Sequence, residues 1–156
     1  MGGIGSGRKS LRPAFETSLR IDLSTRRVKA LVDRREAESG RWTWSSDGEP
    51  VGTVRYAYVP LSAASAEIKL DYSLAGVPRS QTIRLETTQP HFGGQRWWFV
   101  CPAFAREGTR RLVRCVCLPS GASTFASRAA HRLNYQSQKD SRDLLRFIER
   151  WEAMKA

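Results

Sequence analysis

The sequence predicts a mainly β protein of the α+β class, built from antiparallel hairpins with one amphipathic helix at its C-terminal end. Three observations carry that expectation. Short segments in which apolar and polar residues alternate recur along the chain, separated by clusters of Gly, Pro, Asp and Ser, as in half-buried strands joined by turns. The run Arg96-Trp97-Trp98-Phe99-Val100 is too short and bulky for anything but a strand buried against a core. Apolar residues at sustained three- and four-residue steps appear only near the end, from Gln138 to Met154. With 156 residues, 40% hydrophobic and 10% aromatic, the chain fits one compact unit and is too apolar to be a wholly disordered basic tail.

The elements follow in order. Residues 1–12, rich in Gly and Ser and carrying Arg8 and Lys9, read as a flexible basic arm. Residues 13–90 read as a β-rich body. Within it Ser24 is the expected N-cap of a short basic helix over Thr25 to Val32, with Leu23, Val28 and Leu31 on its apolar side. Arg41 to Trp44 and Val51 to Val59 flank SSDGEP, where Asp47-Gly48 tolerates positive φ, so a hairpin is expected. Ala66 to Tyr72 sets Ile68, Leu70 and Tyr72 against Glu67, Lys69 and Asp71, and Gln81 to Glu86 answers it across LAGVPRS. After the break at QPHFGG come the tryptophan strand and a third hairpin, Arg111 to Leu118 and Thr124 to Ala126 around PSGAS. The helix over residues 138–156 is expected to cap the sheet or to dock a protein partner.

Charge is distributed unevenly. The formal net charge is +11, made of +6 over residues 1–35, −2 over 36–95, +6 over 96–132 and +1 over 133–156. All basic residues between 96 and 132 are arginines, whose planar forks suit phosphate, and they are expected to share one guanidinium-dense surface. Such a balance favours polyanionic partners. No apolar stretch approaches a membrane span and the start does not read as a signal peptide, so a cytoplasmic protein with no membrane partner is expected. Three cysteines, two of them Cys115 and Cys117, argue for reduced thiols rather than a disulfide framework.

Residues 91–138 carry a likeness. Gly93-Gly94, Arg96, Trp98-Phe99, Cys101-Pro102, Arg110-Arg111, Leu118-Pro119, Gly121, Phe125, Arg128, His131, Leu133, Tyr135, Ser137 and Gln138 resemble a family of uncharacterised bacterial proteins that end in a small zinc ribbon, and MGGIGSGR resembles its opening. The resemblance implies four cysteine ligands. Here only Cys101 fills such a position; Glu107, Gly108 and Thr109, just before Arg110-Arg111, include no cysteine, and Ser127 and Ala130 stand where the second pair would be. A degenerate, metal-free module is therefore expected, without a cofactor, its cohesion supplied by aromatic packing. Cys115, Cys117 and His131 remain open as an unusual metal set, although a C-x-C pair on a strand is not knuckle spacing.

For chemistry the chain offers two histidines, three cysteines and scattered carboxylates, with no nucleophile motif, P-loop, dinucleotide fingerprint or paired carboxylates. An enzyme is not expected. The leading expectation is a DNA- or RNA-binding protein that contacts phosphates through Arg8, Lys9, Arg26, Arg27, Lys29, Arg96, Arg110, Arg111, Arg114, Arg128 and Arg132, with Trp42, Trp44 and Trp97 as candidate stacking surfaces. The alternative is a protein-interaction module, an accessory or inhibitor of mobile-element origin, that engages a nucleic-acid-handling partner.

Overall fold

In a computed structural model, which describes residues 14–103 and 110–135, the alternating segments become one long meander. A 3-10 turn, Phe15–Thr17, leads into β1 (Leu19–Asp22) and then α1 (Arg26–Arg34). Next come β2 (Glu38–Ser46), β3 (Glu49–Ser62), β4 (Ser65–Leu74), β5 (Val77–Thr88) and β6 (Arg96–Val100), followed by the short β7 (Leu112–Val113) and β8 (Cys115–Leu118). β2 to β7 pair antiparallel in sequence order as a six-stranded sheet, while β1 pairs antiparallel with β8. The mainly β, antiparallel expectation holds.

Alternation decides the faces. Trp42, Val54, Ile68, Leu70, Ile83, Leu85 and Phe99 turn to one side of the large sheet. There they meet Val28, Leu31 and Val32 of α1, Ile21 of β1, and Val116 and Leu118 of β8, so both sheets and the helix share one core. Two tertiary ties close the open side: Trp44 Nε1 donates to Arg20 O at 3.1 Å, and Leu23 N–H donates to Arg114 O at 3.1 Å. The opposite face of the sheet carries Arg41, Arg55, Lys69 and Arg84, all exposed.

Several elements differ from expectation. Asp47 and Gly48 form the first turn with φ of 52° and 84°, as their residue types suggest. The second turn is only Ala75-Gly76, so β4 and β5 run through most of LAGVPRS, and β3 and β4 form a further hairpin that the sequence did not signal. The third hairpin is reduced to a bridge, in which Cys117 and Ala126 exchange backbone hydrogen bonds of 2.8 and 3.1 Å. Thr25, not Ser24, occupies the N-cap of α1; the Ser24 hydroxyl is drawn instead to Asp22 Oδ1 at 2.7 Å. Trp42 and Trp97 are buried in the core, and Trp44 is half-buried with its indole N–H engaged, so none of the three is an open stacking surface. The arm with Arg8 and Lys9 and the helix over 138–156 lie outside the described residues.

Candidate functional site

Asp22, at the end of β1, organises a junction. Its Oδ1 accepts from Ser24 N–H at 2.8 Å and lies 3.3 Å from Arg114 Nε, so one carboxylate pins the entry to α1 and the residue between β7 and β8. α1 begins immediately afterwards and sets Lys29 on its exposed side. Across from it, Arg96 opens β6. The result is a groove of about 350 Å³ lined by Lys29, Arg96 and Arg114, with Trp97 and Val32 on its apolar wall and Ser24, Asp33 and Gln95 as polar lining. Three residues remote in sequence are brought together by tertiary structure alone.

The electrostatics of the groove are favourable to anions yet not unopposed. Lys29 Nζ lies 2.6 Å from Asp33, and both side chains are more than half exposed. Arg114 faces Asp22 and is itself 57% exposed. Exposed pairs of this kind contribute little and are screened by salt, so they orient the cations without neutralising them against a competing phosphate. Arg96 lays its guanidinium 4.3 Å above the Trp98 ring, while Trp98 Nε1 donates to Thr88 Oγ1 at 2.8 Å and fixes the indole. Gln95 is held by Arg35, whose Nη2 donates to Oε1. Gln95 and Arg35 were not anticipated; the left-handed φ of 55° at Arg35, which aims its side chain past the helix end, leaves no local sequence signature.

The other expected phosphate contacts do not join this groove. Arg27 lines a separate cleft with Arg20, Trp42 and Trp44, and Arg26 is exposed at the start of α1. Arg110 reaches Glu86 at 2.7 Å, with Arg111 exposed beside it. Arg128 turns inward: it donates to Leu133 O at 3.0 Å and its guanidinium sits 4.5 Å from the Tyr135 ring, clamping the segment after Ala126. Arg132 occupies a turn with φ of 54°. The described arginines of residues 96–132 thus divide among several places instead of sharing one surface, because only Arg96 lies in a strand and the others sit in separate connections before β7, between β7 and β8, and after β8.

The position of the remnant ligand is explicit. Cys101 is buried, and its sulfur accepts from Ser127 N–H at 3.4 Å. Ser127 Oγ in turn accepts from Ala130 N–H at 3.1 Å. The residues present do not fit zinc: one thiol, a hydroxyl already bound to backbone and a methyl group are not a tetrahedral thiolate set. Cys117 Sγ donates to Ala126 O at 3.5 Å, and His131 Nε2 donates to the Cys117 carbonyl at 3.1 Å. Burial pushes the thiols of Cys115 and Cys117 up to about 12 and about 11, which keeps them protonated, and burial lowers His131. Among the described residues no group of three or more His, Cys, Asp and Glu is placed to hold a metal ion. No helix among them is long and apolar enough to cross a membrane.

The chain matches no family model, no curated protein and no solved structure.

Proposed function

We propose that this is a non-enzymatic nucleic-acid-binding protein that holds backbone phosphates in the groove between α1, β6 and Arg114. The observation that carries the reading is that Lys29, Arg96 and Arg114 line one groove, in a chain of net charge +11. Guanidinium forks and an ammonium on one groove suit successive phosphates, and such contacts give affinity with little sequence preference. The same reading takes residues 91–137 as a ribbon-like module whose turn is held by hydrogen bonds through Cys101 and Ser127 in place of metal.

The test is binding of a labelled single-stranded oligonucleotide to the full chain over a range of salt. Wild-type affinity is expected to fall steeply as salt rises. The triple variant Lys29→Gln, Arg96→Gln, Arg114→Gln is expected to lose about 2 from the slope of log K against log salt, since each phosphate contact contributes roughly 0.7 for single strands. Its folding is checked by circular dichroism. Absence of wild-type binding at low salt would overturn the reading in favour of a protein-interaction module, and an unchanged slope in the folded triple variant would remove the groove.

A further inference from the structure

We propose that the outer face of the large sheet carries a second, separate phosphate-binding site centred on Arg41 and Arg55, with Arg79 at its rim. Register puts these residues together. Arg41 of β2 is the direct cross-strand partner of Arg55 of β3, Arg55 is the partner of Asp71 of β4, and Asp71 is the partner of Ser80 of β5. Arg79, next to Ser80 on β5, pairs with the buried Tyr72, so alternation assigns it to the other face and it borders the groove only at its rim. These residues line one open groove of about 770 Å³, to which Thr53 adds a hydroxyl.

Like charges set directly opposite on neighbouring strands destabilise a sheet. A sequence that needs only a solvated face has no reason to put two guanidinium groups there. Asp71 is the one carboxylate lining the groove, and it also lies 4.0 Å from Lys69, so three arginines are incompletely offset. The surplus suits a phosphate group: its charge relieves the Arg41–Arg55 repulsion, two forks grip it bidentately, and the Thr53 and Ser80 hydroxyls can meet remaining oxygens. A lone carboxylate would leave most of the volume and charge unmet. Segment arithmetic hides the site, because residues 36–95 are net acidic as a whole.

The ligand chemistry is shared by a nucleic-acid backbone and by a small polyphosphate. Titration of the full chain with tripolyphosphate, and separately with a single-stranded oligonucleotide, distinguishes these sources. Arg41→Gln and Arg55→Gln are each expected to weaken tripolyphosphate binding by about tenfold, the loss of one charge-assisted contact. They are also expected to leave the melting temperature unchanged or raised, which a purely structural arginine would not do. Arg79→Gln serves as a third probe that does not disturb the opposed pair. A parallel loss of oligonucleotide affinity would support the site and make it a second contact for the strand; loss with tripolyphosphate alone would support it as a small-polyphosphate site. Unchanged tripolyphosphate affinity in all three variants overturns the proposal. So does binding that disappears only in the Lys29→Gln, Arg96→Gln, Arg114→Gln variant, a result that would leave the groove beside α1 standing.

Discussion

At the scale of single residues, the desolvated groups of β8 and of the segment after it set how stability depends on pH. Burial opposes the charge on His131 and lowers its pKa in the folded chain, even though acceptors at Cys117 and Thr124 favour the proton. The unfolded chain takes up that proton near pH 6.5, so below this value unfolding binds more protons than folding and stability falls as pH drops. On the alkaline side the sign is set by the thiols. Unfolded cysteines release their protons near 9, while Cys115 and Cys117 retain theirs to about 12 and 11, so stability falls again as pH rises above about 9. Urea midpoints at about pH 7.5 and about pH 5.5 are expected to show a drop in the wild type that is smaller in His131→Gln; equal drops would contradict the assignment. Burial of Cys117 was legible from its type and strand position, whereas Cys115 is only half-buried. The hydrogen bond to Ser127 Oγ was not, since it depends on where the chain returns the Ala130 N–H.

At the scale of elements, the turns show where local chemistry speaks and where it does not. Asp47-Gly48 announces a two-residue turn, and both residues take positive φ. Ala75 sits in the equivalent first position of the β4–β5 turn with φ of 49°, where its Cβ is strained. Ala75→Asn is therefore expected to stabilise the protein by about 1 kcal/mol, and Gly48→Ala, at φ of 84°, to destabilise it by about the same amount. Thermal melts of the two variants should move in opposite directions, and a fall in both would reject the strain argument. The β3–β4 turn over Ala63 and Ala64 has no Gly, Pro, Asn or Asp to mark it. The Arg41–Arg55 pairing was hidden for a different reason. Counting back from the Asp47-Gly48 turn with regular pairing would put Arg41 opposite Val54, but an irregularity between Trp44 and Ser45 shifts the ladder by one residue.

At the scale of the whole molecule, strand pairing ties together segments that the sequence presents as separate. The QPHFGG break reads as a boundary between body and ribbon-like module, because local pattern cannot distinguish a linker from a long turn. Thr87 pairs with Trp97 and Leu85 with Phe99 across that break, so β5 and β6 are one hairpin. β1 completes the connection: Ile21 pairs with Val116, binding the first described strand to the last. A cut at position 90 would expose the paired edge of β5, leave β1 without β8, and remove Phe99, Val116 and Phe125 from a core that residues 14–90 cannot refill. The groove with Lys29, Arg96 and Arg114 spans the same junction, so its geometry depends on both parts being folded. Calorimetry of the full chain is therefore expected to give a single transition whose calorimetric and van't Hoff enthalpies agree. Because hydrogen bonds through Cys101 and Ser127 hold the turn, the transition should be unmoved by a strong zinc chelator. Two resolved transitions would show that the pairing across residue 90 does not couple the parts, and a large downward shift in chelator would show that a metal shares in their cohesion.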